Sequence, residues 1–459
     1  MKSKIAGLIL FMVLAGWLGG ASAGELVIPK AGAIQGRYIV VLDPSFLPEA
    51  AGPENAKALE ERAGEASRLA RVVSARHRVP AKEVWGPLGM FLVETTERAA
   101  RRLANDPRVA RVEQDARMEL SAVPNCFTGS NFPLANSYSP VSPQTISCWD
   151  PQLSCTDNWG LDRIDQHTGS QSAHTLDGKF YFGATGAGVH IYIVDTGLVN
   201  HPEFANSSGG SRIGAGANVS SDRPTWDYYD GSGHGTLVAS VAAGRRFGVA
   251  KAATIHPVRI SPDSGASSVA LACSGLNWVI LNLQRPAVVN LSYNFRKFGQ
   301  DTTALDQAVD RLITGYGVPL VNSAGNWNED ANGFSPTGLT QVTVAAGLDW
   351  VNNQRWGADP VSGCHTNGCG SNWGTTVDLY APATDILGAV GSVEAKYACE
   401  GTGTSFAAPL VTGVVAQYLQ GNPTASPATI ESVLTSQATA GVIQGNLQFS
   451  PNLLLFTNF

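Results

Sequence analysis

The chain has 459 residues, 44% of them hydrophobic and 15% charged, and carries a net charge of −6 at pH 7. That composition suits a soluble globular protein of one large domain or two to three ordinary ones. The acidic balance, with no long basic run, speaks against nucleic acid and against an anionic membrane surface as partners.

Residues 1–23 have the layout of a signal peptide. Lys2 and Lys4 precede an apolar run over 5–18, and Ala-Ser-Ala at 21–23 fits a cleavage site. No later stretch approaches the ~18 apolar residues of a membrane span. A secreted protein, extracellular or periplasmic, is expected, in a compartment where disulfides form.

Residues 24–120 are densely charged, with 15 Lys and Arg against 14 Asp and Glu. They read as a small α+β unit: strands at 37–43, 90–96 and 109–115, a charged Ala-rich helix at 56–79 and a short helix at 97–105. Its place between a signal peptide and a larger domain makes it a pro-region. Residues 121–158 are rich in Ser, Pro and Asn and carry Cys126, Cys148 and Cys155. They read as a strap tied by disulfides.

From residue 121 onward the balance is 14 basic to 23 acidic. Over 159–459, continuous apolar runs at 189–195, 287–293, 318–326, 341–347 and 376–382 have the pattern of strands buried on both faces. Helical patterns at 235–244, 267–283, 302–314 and 405–420 separate most of them. The fold class is therefore α/β, a parallel sheet with helices on both faces. In such folds chemistry sits at the carboxyl ends of the strands.

Four polar groups stand at such ends. Asp195 closes the first apolar strand, His234 opens a helix in DGSGHGTLVA, Asn326 ends a strand in NSAGN, and Ser405 opens the last long helix. Singly, each has an ordinary structural role; Ser405 with Thr404 suits a helix N-cap. Together, Asp, His and Ser form the set needed for nucleophilic acyl transfer, with Asn as an oxyanion donor.

The blocks IYIVDTGLVNHPEF, DGSGHGTLVAS, VNSAGN and GTSFAAPLVTG resemble the Asp, His, oxyanion-Asn and Ser blocks of the subtilisin-like serine proteases. WGLDRIDQ and FGVAKAATIHPVRI are similar to the proteinase K branch, and residues 36–115 resemble the family's inhibitory propeptide. The resemblance implies a subtilisin-like catalytic domain preceded by a small α+β propeptide domain. It implies catalytic roles for Asp195, His234, Ser405 and Asn326, and a substrate-binding role for Ser292, Asn294, Ser323 and Gly325. Expected partners are protein and peptide substrates, with the chain's own propeptide as intramolecular inhibitor of a monomer and no nucleic acid or membrane. In the family, a donor at the Asn position contributes ~2.7–4 kcal/mol, a family value and not one for this chain.

Several positions depart from the family. Phe406 stands where Met is usual, and Leu410 where His is frequent. NLSYNF replaces Ser-Leu-Gly-Gly, so Asn294 falls on a Gly that borders the S1 pocket, the pocket for the residue before the scissile bond. Its side chain either narrows the pocket mouth or points to solvent. All four methionines, Met1, Met12, Met90 and Met118, precede residue 119. If cleavage falls within 118–123, just past Met118, the mature enzyme has none.

Of seven Cys, Cys273 lies on an apolar helical stripe and is expected to be free. Cys364 and Cys369 are spaced for a local bridge. Cys126, Cys148, Cys155 and Cys399 remain, with three possible connectivities. No fourth ligand accompanies Cys364, His365 and Cys369, which disfavours a metal there. By resemblance, calcium is the expected structural cofactor, at Asp378 with the carbonyls of Leu339 and Gln341; no catalytic cofactor is expected.

Overall fold

A computed structural model describes residues 24–49, 52–120, 145–147, 158–170, 173, 175–262, 267–297, 303–350, 352–358, 369–390 and 396–459. Residues 1–23, nearly all of 121–158, and Cys126, Cys148, Cys155, Cys364 and His365 lie outside them.

The larger sheet runs, in spatial order, Thr439–Ala440, Leu453–Leu454, Leu379–Pro382, Thr343–Leu348, Leu320–Ser323, Ala287–Leu291, His190–Asp195, Thr254–Arg259, Ala217–Asn218. Every pairing is parallel except the first. The central strands are buried along their whole length except at His190, the reason they read as unbroken apolar runs. The strand Thr254–Arg259 was not marked by its sequence. His256 and Pro257 interrupt its apolar pattern, and Pro removes a ladder donor. It is tolerated because only Val258 and Arg259 pair with the next strand, Ala217–Asn218.

Helices Thr404–Gly421 and His234–Ala243 pack together on one face of the sheet, and Val269–Leu281 and Ala304–Asp310 pack together on the other. Thr404–Gly421 is apolar around nearly its whole circumference and is buried almost throughout, as a central helix must be. Cys273 is a free, fully buried thiol on Val269–Leu281, and burial pushes it well above its ordinary pKa. Cys369 is disulfide-bonded.

Residues 24–120, the expected pro-region, fold as strands Ala33–Leu42, Ala81–Trp85, Met90–Glu94 and Val109–Leu120 with helices Ala56–His77 and Glu97–Ala104. Strands Ala33–Leu42 and Met90–Glu94 alternate between two cores. Tyr38, Val40 and Leu42 face the region's own helices, whereas Ile39, Val41, Met90 and Leu92 join the core of the larger domain. Period-two alternation thus gives one small sheet two buried faces.

Two acidic side chains anchor that contact. Glu113 Oε2 accepts from Ala304 N at 2.9 Å and Asp115 Oδ1 from Ala270 N at 2.9 Å. Both carboxylates are fully buried, each at the first turn of a helix, where backbone N–H groups lack partners. The last pro-region strand continues to Leu120, past the expected end at 115. Met118 and Arg117 pair antiparallel with Ser267 and Ser268, and Leu120 and Glu119 with Tyr293 and Asn294.

Candidate active site

Asp195 is the last residue of His190–Asp195 and has no exposed surface. Its Oδ1 accepts from Thr196 N at 2.7 Å and meets His234 Nδ1 at 2.7 Å. His234 is the first residue of its helix. Gly235 follows because a Cβ there would lie 2.3 Å from Gly197 O and 3.2 Å from Asp195 Oδ1. Burial disfavours the charged imidazole, but the Asp195 carboxylate, by charge and hydrogen bond, and Asp230, by charge, hold His234 above its ordinary pKa. That arrangement suits a base that must carry a proton transiently.

The helix of His234 has no ordinary side-chain cap; Gly233, at φ +86°, is its N-cap residue. Asp230 takes over that role. Its Oδ1 accepts from Thr196 Oγ1 at 2.8 Å, Gly233 N at 2.8 Å and Ser232 N at 3.1 Å. Its Oδ2 accepts from Thr236 N at 2.8 Å and Thr236 Oγ1 at 2.7 Å. Thr196 Oγ1 accepts in turn from Gly235 N at 2.8 Å. Asp230 therefore binds the segment after Asp195 to the helix of His234. Sequence reading passed over it, although an Asp-Gly shortly before a helix start was the available signal.

Ser405 is the second residue of Thr404–Gly421, and the N-cap position is Gly403, at φ +148°. Neither hydroxyl caps the helix. Thr404 Oγ1 instead donates to Asn326 Oδ1 at 2.7 Å and accepts from Gly325 N at 3.0 Å. Thr404 N donates to the same Asn326 oxygen at 2.9 Å. These bonds fix the Asn326 amide with its oxygen toward Thr404. Phe406, next to Ser405, sets its ring 5.9 Å from the His234 ring. Asp195, His234, Asn326 and Ser405 are thus gathered where the carboxyl ends of the strands meet the start of the buried helix.

Ser292 Oγ donates to the Ser405 carbonyl at 3.3 Å. Asn294 does not point to solvent. It is 1% exposed, donates from Nδ2 to Ser323 O at 3.1 Å and accepts from Asn322 Nδ2 at 3.1 Å. Gly325, at φ +101°, adjoins Asn326.

Asp378 is a candidate cation ligand. Its Oδ2 accepts from Val344 N at 2.7 Å, and burial pushes its carboxyl up to about 7. Gln341 donates from its side-chain Nε2 to Asp310 Oδ1 at 3.1 Å. Among the described residues, no three His, Cys, Asp or Glu side chains gather as a metal site; one carboxylate with backbone oxygens is a different donor set, suited to a hard ion.

A model of the subtilase family matches residues 186–450. An extracellular serine proteinase of Thermus sp. (strain Rt41A) is 36% identical over 93% of this chain and 90% of its own length. A cuticle-degrading serine protease of Arthrobotrys oligospora is 30% identical over 99% of both chains. The crystal structure of a cold adapted subtilisin-like serine proteinase superposes with a TM-score of 0.55 at 34% identity, over 65% of this chain and 97% of that one.

Proposed function

The chain belongs to the subtilase family and is a serine peptidase of it, and we propose that it is a secreted endopeptidase made as a self-processed zymogen. Ser405 Oγ attacks the scissile carbonyl while His234 Nε2 takes its proton. His234 then gives that proton to the leaving amine, and water hydrolyses the acyl-enzyme by the reverse sequence. Asp195, bonded to Nδ1, orients the ring and stabilises its cation. The Asn326 amide and the Ser405 N–H receive the oxyanion. Secretion is supported by the signal-like residues 1–23 and by the relative named as extracellular.

One observation carries this reading: beside the Asp195–His234 contact of 2.7 Å, the domain pairs Tyr293 and Asn294 antiparallel with the strand 109–120, next to Ser292, which bonds the Ser405 carbonyl. That pairing supports the pro-region as both folding partner and inhibitor.

Calcium is proposed as a structural ion at Asp378 with the carbonyls of Leu339 and Gln341. A cation there would offset the burial that disfavours the ionised carboxylate.

The test is expression of the wild type beside Ser405→Ala. The wild type should hydrolyse casein and show a mass consistent with cleavage within 118–123. Ser405→Ala should accumulate as the 24–459 precursor and leave casein intact. Normal maturation of that variant would rule out self-cleavage.

A further inference from the structure

The pro-region strand shows how a polypeptide lies on this domain. Glu119 stands opposite Asn294 and Leu120 opposite Tyr293. A substrate strand laid in the same register brings its next residue opposite Ser292, whose Oγ is bonded to the Ser405 carbonyl. That residue is the one whose carbonyl Ser405 would attack.

Its side chain must enter the crevice between two neighbouring chain segments. Ala287–Leu291 and Leu320–Ser323 are adjacent parallel strands, with Leu291 opposite Asn322. Beyond that pair, residues 292–294 form one wall and 323–326 the other. The Asn294 side chain crosses between these walls. Its Nδ2 donates to Ser323 O at 3.1 Å and Ser323 Oγ at 3.4 Å, and its Oδ1 accepts from Asn322 Nδ2 at 3.1 Å.

The far wall cannot retreat to compensate. A Cβ at Gly325 would lie 2.5 Å from Asn372 Nδ2 and 2.8 Å from the Trp327 ring. Asn372 Oδ1 is held by Trp327 N at 3.0 Å and Glu329 N at 3.1 Å. Moving Asn294 aside would break its buried bonds to Ser323 O and Asn322 Nδ2, although Asn322 Nδ2 would still donate to Ser323 O at 2.9 Å.

We propose that Asn294 is a specificity-determining residue, which closes the pocket before the scissile bond and directs the enzyme to cut after small side chains such as Ala, Ser and Gly. This rests on the proposed role of Ser405. The sequence agrees with it, because the residues that follow Leu120, inside the expected processing region, are Ser121 and Ala122.

The experiment measures kcat/KM of the mature enzyme on peptide p-nitroanilides differing only in the residue before the anilide: Ala, Leu or Phe. The wild type should favour Ala over Phe by about 10–200-fold, the range that pocket fit provides. Asn294→Gly should raise the Phe-to-Ala ratio by at least about tenfold. Asn294→Ala serves in its place if the glycine variant does not fold, and a fluorophosphonate titration counts active sites in each. A wild type that takes Phe as readily as Ala, or a ratio unmoved by either variant, overturns the proposal. Cleavage of the Ala peptide that survives Ser405→Ala overturns the parent reading instead.

Discussion

Asn326 and Thr404 are joined twice: Asn326 Oδ1 accepts from Thr404 N at 2.9 Å and from Thr404 Oγ1 at 2.7 Å. The amide oxygen is held at the helix start, and the amide nitrogen is left as the group aimed elsewhere. Thr404→Val removes one of the two donors while keeping the shape. We expect kcat to fall by about tenfold with KM nearly unchanged, the pattern of an interaction made in the transition state. Asn326→Ala should cost about 10²–10³ in kcat, the family figure. Adding Thr404→Val to Asn326→Ala should then cost little more, since the two act as a unit. Additive losses would show that Thr404 works by another route.

Asp230 should be a positioning residue for His234. Asp230→Asn exchanges an acceptor for a donor among five hydrogen bonds. We expect kcat/KM to fall by about 10–100-fold through misplacement of the imidazole. Asp230 also favours the charged imidazole, so the acid limb of the kcat/KM profile should move to lower pH. A loss of activity with that limb unmoved would mark Asp230 as structural only.

The contact of Glu113 with the helix at Ala304 should depend on pH. Burial pushes the Glu113 carboxyl from 4.5 up to about 7, offset in part by Arg111 and the Ala304 N–H. A raised pKa means that the folded precursor favours the protonated acid. Its contribution is whole below about 4.5 and is lost as pH rises through about 7. The full span is on the order of 3 kcal/mol, at 1.36 kcal/mol per pH unit. In a Ser405→Ala precursor, Glu113→Gln should match the parent's thermal midpoint at pH 4.5 and exceed it at pH 8. Equal midpoints at pH 8 would refute the effect.

Asp378 supplies a test of calcium. An ion bound by the native state alone adds RT ln(1 + [L]/Kd), ~2.7 kcal/mol at a hundredfold excess over Kd. Chelation should lower the thermal midpoint of the mature enzyme, and Asp378→Asn should abolish that sensitivity. A midpoint indifferent to chelator would count against a stabilising ion.

Phe406 is fully buried beside His234. A sulfoxide at that place would set a polar oxygen in a packed site next to Ser405, the proposed nucleophile. Phe406 has no sulfur, and Cys273 is buried with a raised pKa, which keeps it slow to react. The mature wild type should retain most activity in hydrogen peroxide, whereas Phe406→Met should lose it. Equally rapid inactivation of both would refute this.

The sequence alone determined the strand and helix ends on which the proposed chemistry rests. Asp195, His234, Asn326 and Ser405 each border a long apolar run or a helix start, and such local patterns do not depend on the neighbours. The same locality made Cys273 legible as a buried thiol. Tertiary structure decided the rest, because those contacts join residues far apart in the chain. Whether Thr404 and Ser405 cap a helix turned on Asn326, which claims the Thr404 hydroxyl from 78 positions away. The strand ending at 115 in the sequence runs on to Leu120 because Ser267 and Tyr293 supply its partners. Asn294 was left between narrowing the pocket mouth and pointing to solvent, and solvent is excluded because Ser323 and Asn322 reach it once two parallel strands come into register. A side chain's period announces which face it takes, whereas its hydrogen-bond partner is chosen by how the sheet is ordered.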